Sequence, residues 1–487
     1  MTAMQKFRND KTRMFKIPKY QLYLLQLEKY ELGRYFRLLF KKGLLPPDEP
    51  LRKKLVWTNK AVVIFGIAEI VIFSLAGFLA WVLHQSVIEN TAPAVIAFFG
   101  FAMIFKIFSF LFFSLANLLI APLDFGFKLW LVERAKAKIR AHQQLKIIGI
   151  AGSYGKTTMK EVLKQVLDTR FKVLATPDSI NTPVGISRWI LRLLDPSVQI
   201  LVIEMGEHYK GDIKEICEIT KPDIAVISGI NEAHLERMGS EENVVATIFE
   251  AAQFAKDDAL VILNKDDKRI LANYKNFVKP NQQVLFYSAN LPGFEFSQQI
   301  FGWQGNLPEV GEIQIRLMGR YSVGLAQAAG LVAKHLGLTN QQLAHGLNAV
   351  RPVEHRLQAS FAPGNILVID DAYNGNSDGA REAVKVLSRF ADRRKIYITP
   401  GLVETGAASE EVHKDIGRRL AAVADVVILI RNSVTPDIES GIMNYESGKK
   451  PQILWFDTAL EAHAALKDIL KPNDVILFQN DWGDQYI

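Results

Sequence analysis

The sequence predicts an α/β protein built on a doubly wound parallel sheet, preceded by a two-helix transmembrane module. Three observations predict this. Two long apolar stretches occupy residues 61–83 and 92–123. A short apolar run, residues 145–150, then feeds directly into a glycine-rich loop, a Lys-Thr-Thr and a segment of helical spacing. Further apolar runs at 199–203, 224–227 and 259–263 recur at the distances expected of parallel strands joined by crossover helices.

The chain has 487 residues, of which 49% are hydrophobic and 22% charged, enough to bury several cores and against disorder as the dominant state. Cys217 is the only cysteine, which excludes a disulfide scaffold and any cysteine-based zinc site. The net charge is +7, but its placement matters more than its size. Residues 1–60 carry 15 Lys and Arg against 5 Asp and Glu, whereas the remainder carries 43 against 46. The excess is one terminal block directly before the apolar stretches. It therefore points to a lipid bilayer as a partner, with no nucleic acid expected.

Each apolar stretch is long enough to cross a hydrocarbon core of about 30 Å. Trp57, Trp81 and Trp130 lie near their ends, where interfacial aromatics are favoured. Arg52, Lys53, Lys54 and Lys60 precede the first stretch, and Lys128, Arg134, Lys136, Lys138 and Arg140 follow the second. Residues 84–93 between them hold Glu89 and no Lys or Arg. The positive-inside rule then places both flanks in the cytoplasm. The expected location is the cell (inner, cytoplasmic) membrane, with the catalytic domains facing the cytoplasm. Residues 1–56 read as a basic amphipathic cytoplasmic segment, lying on the leaflet or packed on the soluble part. Residues 57–140 read as a two-span hairpin with a juxtamembrane helix. Glu69 and Lys106, the single charges inside the two stretches, either pair with each other or snorkel separately.

From residue 141 the texture is α/β. Gly152-Ser153-Tyr154-Gly155-Lys156-Thr157-Thr158 comes after the first strand and opens a helix, which is the phosphate-loop arrangement, although Ile150 stands where the strict pattern has glycine. Glycines let backbone N–H groups turn inward around phosphate oxygens. Lys156 neutralises β- and γ-phosphates, Thr157 ligates Mg²⁺, and the helix N-terminus adds a favourable dipole. In doubly wound sheets ligands bind beyond the carboxyl ends of the strands. The groups ending the next strands, Glu204 to His208, Asn231 to Glu236 and Asn264 to Asp267, should therefore face this loop. Glu204 and His234 are then Mg²⁺ ligands beside Thr157.

These residues resemble the Mur ligases, the ATP-dependent amide-forming enzymes of peptidoglycan synthesis, and the likeness runs over residues 146–487. Within that family it is to the branch that adds D-alanyl-D-alanine to a muramoyl tripeptide. Residues 150–158 are similar to the family's phosphate loop, and Asn181-Thr182-Pro183 to its substrate-side asparagine segment. Glu204-Met-Gly-Glu-His-Tyr-Lys-Gly211 and His234-Leu-Glu-Arg-Met-Gly239 resemble its two metal-ligand segments, and Asn264-Lys-Asp-Asp267 its adenine-side motif. His355-Arg356-Leu357 resembles the arginine segment at the domain junction. Asp370-Asp371-Ala-Tyr373-Asn374-Gly-Asn376 resembles the C-terminal motif. The resemblance implies a central ATP-binding domain at 141–350 and a C-terminal α/β Mur-ligase domain at 351–487. It implies that ATP phosphorylates a carboxylate, that an amine attacks the acyl phosphate, and that phosphate leaves as an amide forms. Lys156, His234 and Arg356 carry the catalysis in that reading. Gly152 to Thr158, Asn264, Asp267, Arg356 and Asp371 bind ATP, and Thr157, Glu204 and His234 hold Mg²⁺. Asn181, Thr182, Tyr373, Asn374 and Asn376 meet the muramoyl-peptide (or other peptidyl) carboxylate and the incoming amine.

Four departures qualify the likeness. The family's N-terminal uridine-nucleotide-binding domain is absent from residues 1–140. The lysine that in most Mur ligases is carbamylated to bind a second magnesium is missing, with Glu250 in that region. Tyr321 and Ser322 replace the usual His and Asn. The C-terminal Gln479-Asn480-Asp481-Trp482-Gly483 lacks the usual Gly-Ser. The first departure suggests a lipid-linked acyl substrate. Two rival readings are a membrane-associated poly-γ-glutamate-type synthase and a non-catalytic nucleotide-binding scaffold. A lipid-II-amidating relative is disfavoured, because its zinc ribbon needs four cysteines. Outside the motifs, Cys217 reads as a small helix residue, and His335 and His345 as packing or surface residues. Glu404 and His413 read equally as functional or structural.

Overall fold

The computed structural model describes residues 16–47, 54–86, 91–177, 180–207, 209–232, 235–290, 295–373, 375–403, 405–446, 448 and 450–480. The chain divides into two compact units that part between Leu129 and Trp130.

The first unit is helical: α1 (Ile17–Leu27), α2 (Leu32–Lys42), α3 (Asn59–Ser86), α4 (Thr91–Ile107) and the start of α5 (Ser109–Arg140). Tyr20, Leu24 and Leu25 of α1 and Tyr35 and Leu39 of α2 bury themselves against Ala61, Ile64 and Ala68 of α3 and Phe110, Phe113 and Ala116 of α5. The described part of the basic segment is thus two helices packed on the apolar ones. The second apolar stretch is two helices that break at Phe108, and α4, at 17 residues, reaches roughly 26 Å, short of a hydrocarbon core. The break is stable because its freed backbone groups are met. Gln21 donates to the Ile107 carbonyl at 2.9 Å and accepts the Phe110 N–H at 2.8 Å, and the Ser109 hydroxyl donates to the Lys106 carbonyl. Two segments, Asn59–Gln85 and Ser109–Arg140, remain long and apolar enough to cross a membrane by length and composition. Lys106 Nζ lies 3.2 Å from Glu69 Oε2, so of the two open readings the pair is the one present.

The second unit carries two parallel sheets. Its first elements are β1 (Lys146–Ala151), α6 (Lys156–Leu167), β2 (Val173–Ala175), α7 (Pro183–Leu193), β3 (Ile200–Glu204), α8 (Asp212–Thr220), β4 (Ile224–Ile227), α9 (Leu235–Met238), α10 (Glu241–Gln253), β5 (Leu260–Asn264), α11 (Lys268–Asn273) and β6 (Gln283–Tyr287). The strand order is β2-β3-β1-β4-β5-β6, with parallel pairing throughout. Alternate residues of the strands serve two cores. Ile148 and Ile150 face α6, while Ile147 and Ala151 face α7, α8, α10 and the last turns of α5. That double coverage explains why β1, β3, β4 and β5 read as unbroken apolar runs. Because β1 pairs with β3 on one side and β4 on the other, the loop after β1 sits over the switch point of the sheet.

A small antiparallel sheet of β7 (Phe296–Gln299), β8 (Gly302–Leu307) and β9 (Gly311–Ile315) comes next, then α12 (Tyr321–His335) and α13 (Asn340–Ala349). The second large sheet takes β10 (Gln358–Ala362), β11 (Ile366–Asp371), β12 (Lys395–Thr399), β13 (Val426–Ile430), β14 (Gln452–Phe456) and β15 (Val475–Gln479) in the order β10-β11-β15-β12-β13-β14. Only β10 runs antiparallel. Helices α14 (Ser377–Ser388), α15 (Ser409–Val423) and α16 (Thr435–Met443) cover one face and α17 (Ala459–Ile469) the other.

Candidate functional site

The phosphate loop is shaped by two glycines. Gly152 (φ +143°) and Gly155 (φ +77°) adopt backbone that side chains rarely take, and a Cβ at Gly152 would overlap the Ser228 hydroxyl. Gly155 then opens α6 at Lys156. The segment after β4 pins the loop. The Ser153 N–H donates to the Gly229 carbonyl at 2.8 Å. The Tyr154 ring lies so close over Gly229 that any Cβ there would enter it. Its hydroxyl donates to Asp267 Oδ2 at 3.1 Å, and burial pushes the phenol's pKa well up, so it stays a donor.

The carboxyl end of β3 closes the other side. Thr157 Oγ1 donates to Glu204 Oε1 at 3.1 Å. Lys160, fully buried on α6, places Nζ 3.2 Å from Glu204 Oε2. Lys156 Nζ meets Glu207 Oε1 at 2.6 Å and also reaches the Gly152 carbonyl. Glu204 and Glu207 are only 5% and 2% exposed. The second carboxylate oxygen of each has no hydrogen-bond partner among the described residues. The Thr157 hydroxyl and the Glu204 carboxylate set hard oxygen donors side by side, which fits Mg²⁺.

The adenine-side residues stand close by, but their polar atoms already hold the scaffold. Asn264 Nδ2 donates to the Ser228 carbonyl at 2.9 Å. Asp267 caps α11 through the Arg269 and Ile270 N–H groups and accepts the Ile230 N–H at 2.7 Å. Asn181 packs against Gly206, whose N–H donates to the Asn181 carbonyl at 2.9 Å, and Thr182 caps α7.

The second large sheet approaches the loop through several contacts. Asn231 Nδ2 donates to Asn376 Oδ1 at 3.1 Å and to Asp378 Oδ2 at 3.0 Å. Arg320 and Arg389 both lie over the Trp303 ring, at 4.8 and 4.5 Å. The Tyr321 phenol lies near Thr158 on the loop helix and within reach of the Asp371 and Arg356 charges, and burial raises its pKa. Arg356 Nη1 donates to the Tyr373 carbonyl at 2.7 Å, and its guanidinium lies 4.7 Å from the Tyr373 ring centroid. Asp371 ends β11 and accepts the Leu357 N–H at 3.2 Å. Desolvation pushes its carboxyl up to about 7, against the opposing pull of Arg356.

The structure therefore gathers Lys156, Thr157, Glu204 and the 152–158 loop, places Asn264 and Asp267 behind it, and links it through Tyr321 to Arg356 and Asp371. Asn181 and Thr182 lie at the β3 end beside Gly206. His234, Asn374, Glu404, Asp481, Trp482 and Gly483 lie outside the described residues. Glu250 is not at the loop. Its two carboxylate oxygens accept the Gly211 and Lys214 N–H groups at 3.0 and 2.8 Å and so hold the first turn of α8. His413 is internal, with Nε2 accepting the Leu402 N–H at 2.9 Å and Nδ1 against the Ser409 carbonyl at 2.6 Å. Sequence reasoning had Glu207 and Asn231 only within segments facing the loop, with no individual role, did not single out Lys160, and counted Tyr321 only as a departure. Lys160 carried a legible signal, a charge on the apolar face of α6 beside Met159 and Leu163.

Comparison with known proteins agrees with this geometry. Residues 150–333 match the Mur ligase middle domain, and residues 355–479 match the Mur ligase, glutamate ligase domain. The UDP-N-acetylmuramoyl-tripeptide–D-alanyl-D-alanine ligase of Mycobacterium leprae is 30% identical over 316 residues, covering 59% of this chain and 61% of that protein. The Bacillus subtilis ligase of the same name is 24% identical over 340 residues, covering 69% and 73%. The chain thus spans about three fifths of the length of the mycobacterial relatives. Among solved structures, MurF from Thermotoga maritima in complex with ADP has a TM-score of 0.64 at 24% identity, covering 73% of this chain and 80% of that one. These findings correct one expectation. The related ligases are cytoplasmic soluble enzymes, which overturns the location expected at the cell membrane. Length and apolar composition, on which that expectation stood, are met equally by a core helix of a soluble protein.

Proposed function

Because the chain belongs to the Mur ligase family, we propose that it is an ATP- and Mg²⁺-dependent ligase joining D-alanyl-D-alanine to the free carboxylate of a muramoyl tripeptide in peptidoglycan precursor synthesis. The observation that carries the reading is the phosphate loop with Lys156 and Thr157 set against Glu204, in a chain similar to ligases of that name. Residues 141–350 are the ATP-binding domain and 351–487 the C-terminal ligase domain.

In this reading the triphosphate activates the carboxylate as an acyl phosphate, and the amine displaces phosphate. The chain's own residues bind and orient. Loop N–H groups from Gly152 to Thr158 cradle the phosphates, and the Lys156 ammonium offsets the charge growing on the transferred group. Thr157, Glu204 and His234 hold Mg²⁺, which supplies charge neutralisation at the phosphates. Arg356 and Asp371, reached through Tyr321, couple approach of the C-terminal domain to completion of the site. Asn264 and Asp267 line the adenine side. Asn181, Thr182, Tyr373, Asn374 and Asn376 face the two joined substrates.

Phosphate release from the purified full chain tests this. With ATP, Mg²⁺ and UDP-muramoyl tripeptide, release should require D-alanyl-D-alanine and vanish in Lys156→Ala. Turnover supported by glutamate instead of the dipeptide, or no turnover with either, defeats the reading.

A further inference from the structure

Three carboxylates touch the phosphate loop through hydrogen bonds: Glu204 at Thr157, Glu207 at Lys156 and Asp267 at Tyr154. Both oxygens of Asp267 are taken, Oδ1 by the Arg269 and Ile270 N–H groups and Oδ2 by the Ile230 N–H and the Tyr154 hydroxyl. The second oxygen of Glu204 faces the Lys160 ammonium at 3.2 Å. Glu207 differs. Its Oε1 takes the Lys156 ammonium at 2.6 Å, while its buried Oε2 has no hydrogen-bond partner among the described residues. Its place in the chain matters as much. Gly206, directly before it, packs so closely on Asn181 that a Cβ would collide with that side chain, and the Gly206 N–H donates to the Asn181 carbonyl at 2.9 Å. Glu207 therefore stands between Lys156 on the phosphate side and the Asn181 segment on the acyl-substrate side.

We propose that Glu207 is the general base that takes a proton from the incoming ammonium group. The inference rests on the reading of the site as an ATP-dependent amide ligase. An acyl phosphate joins the substrate carboxylate, at Asn181, to the phosphoryl group, at Lys156, so its reacting carbon lies between the two. The incoming amine arrives protonated and has no free electron pair until a proton leaves. Glu207 Oε2 takes that proton. The nitrogen attacks the acyl carbon, and the carbon–oxygen bond to phosphate breaks with its electron pair on the phosphate oxygen. The second nitrogen proton passes to the departing phosphate, and the proton on Glu207 returns to water. In the empty site the Lys156 ammonium holds Glu207 ionised. Phosphates in the loop share that ammonium, so its hold weakens and Glu207 becomes more basic at the stage when the amine must lose its proton.

Measuring the two half-reactions separately on the full chain, with ATP, Mg²⁺ and UDP-muramoyl tripeptide, tests the proposal. Exchange of labelled ADP into ATP reports acyl-phosphate formation and needs no amine. Amide formation is followed with D-alanyl-D-alanine and, in parallel, with hydroxylamine, a nucleophile already unprotonated at neutral pH. Glu207→Gln, which keeps the shape and removes the base, should slow dipeptide ligation about 100-fold or more, with exchange and hydroxamate formation within about threefold of the wild type. Glu207→Asp, which restores a carboxylate, should recover roughly tenfold of the lost ligation. Undiminished dipeptide ligation in Glu207→Gln overturns the proposal. So does a loss shared equally by dipeptide ligation, hydroxamate formation and exchange, which assigns Glu207 to the support of Lys156. Both of those results leave the ligase reading intact. Absence of exchange in the wild type overturns that reading and the proposal with it.

Discussion

Asp371→Asn separates stability from function at one atom. Desolvation raises the carboxyl from its ordinary 3.8 to about 7, although Arg356 and the Leu357 N–H pull it down. Between about pH 4 and pH 7 the folded protein holds a proton that the unfolded chain has released. Stability therefore falls as pH rises through that window and levels off above it. Three units correspond to roughly 4 kcal/mol at full effect. Asparagine keeps an oxygen acceptor for the Leu357 N–H and cannot ionise. The variant should thus be more stable than the wild type by up to about 4 kcal/mol at pH 8, with the difference shrinking steadily toward pH 4. Urea-denaturation midpoints of both proteins across that range give the difference directly. Ligase turnover, if it uses the ionised form, should fall in the variant while stability rises. Parallel stability profiles, with a constant offset at every pH, would refute the argument that Asp371 is desolvated and protonated near neutrality.

Lys160→Met removes the counter-charge of buried Glu204 and should destabilise the protein by about 3–5 kcal/mol, as uncompensated buried charges do; an unchanged melting temperature would show that Glu204 does not depend on it. Asn231→Ala deletes both hydrogen bonds to Asn376 and Asp378 and should lower kcat at least tenfold with ADP affinity nearly unchanged, so a matching loss of ADP affinity counts against a role in domain approach. Burial pushes His413 below its ordinary 6.5, so the unfolded chain takes up a proton first and stability falls as pH drops below about 6.5. In His413→Gln that acid-side slope should weaken, and an identical slope in both proteins refutes the assignment.

The legible parts of this protein are those in which chemistry is local. The phosphate loop needs glycine at positive φ directly after a buried strand, and residues 146–158 state that requirement in order. The parallel strands show as apolar runs because both faces of the sheet are covered. The apolar stretches were visible too, but their partition was not. The break at Phe108 is held by Gln21, 86 residues away from the carbonyl it serves, and no local pattern announces so distant a donor. Composition also says nothing about what covers an apolar helix, which is why the membrane location failed.

The sequence by itself determined the nucleotide-binding architecture and the identity of Lys156, Thr157 and Glu204, because strand, loop and helix are contiguous there and strand ends in a doubly wound sheet converge by topology. Only the tertiary structure decided what each charge faces. It set Glu207 against Lys156, sent Glu250 to a helix cap, buried Lys160 beside Glu204, and placed Tyr321 between Thr158 and Asp371. The physical reason is that the partner of a charge is selected by burial and distance, and chain folding sets both without regard to separation along the sequence.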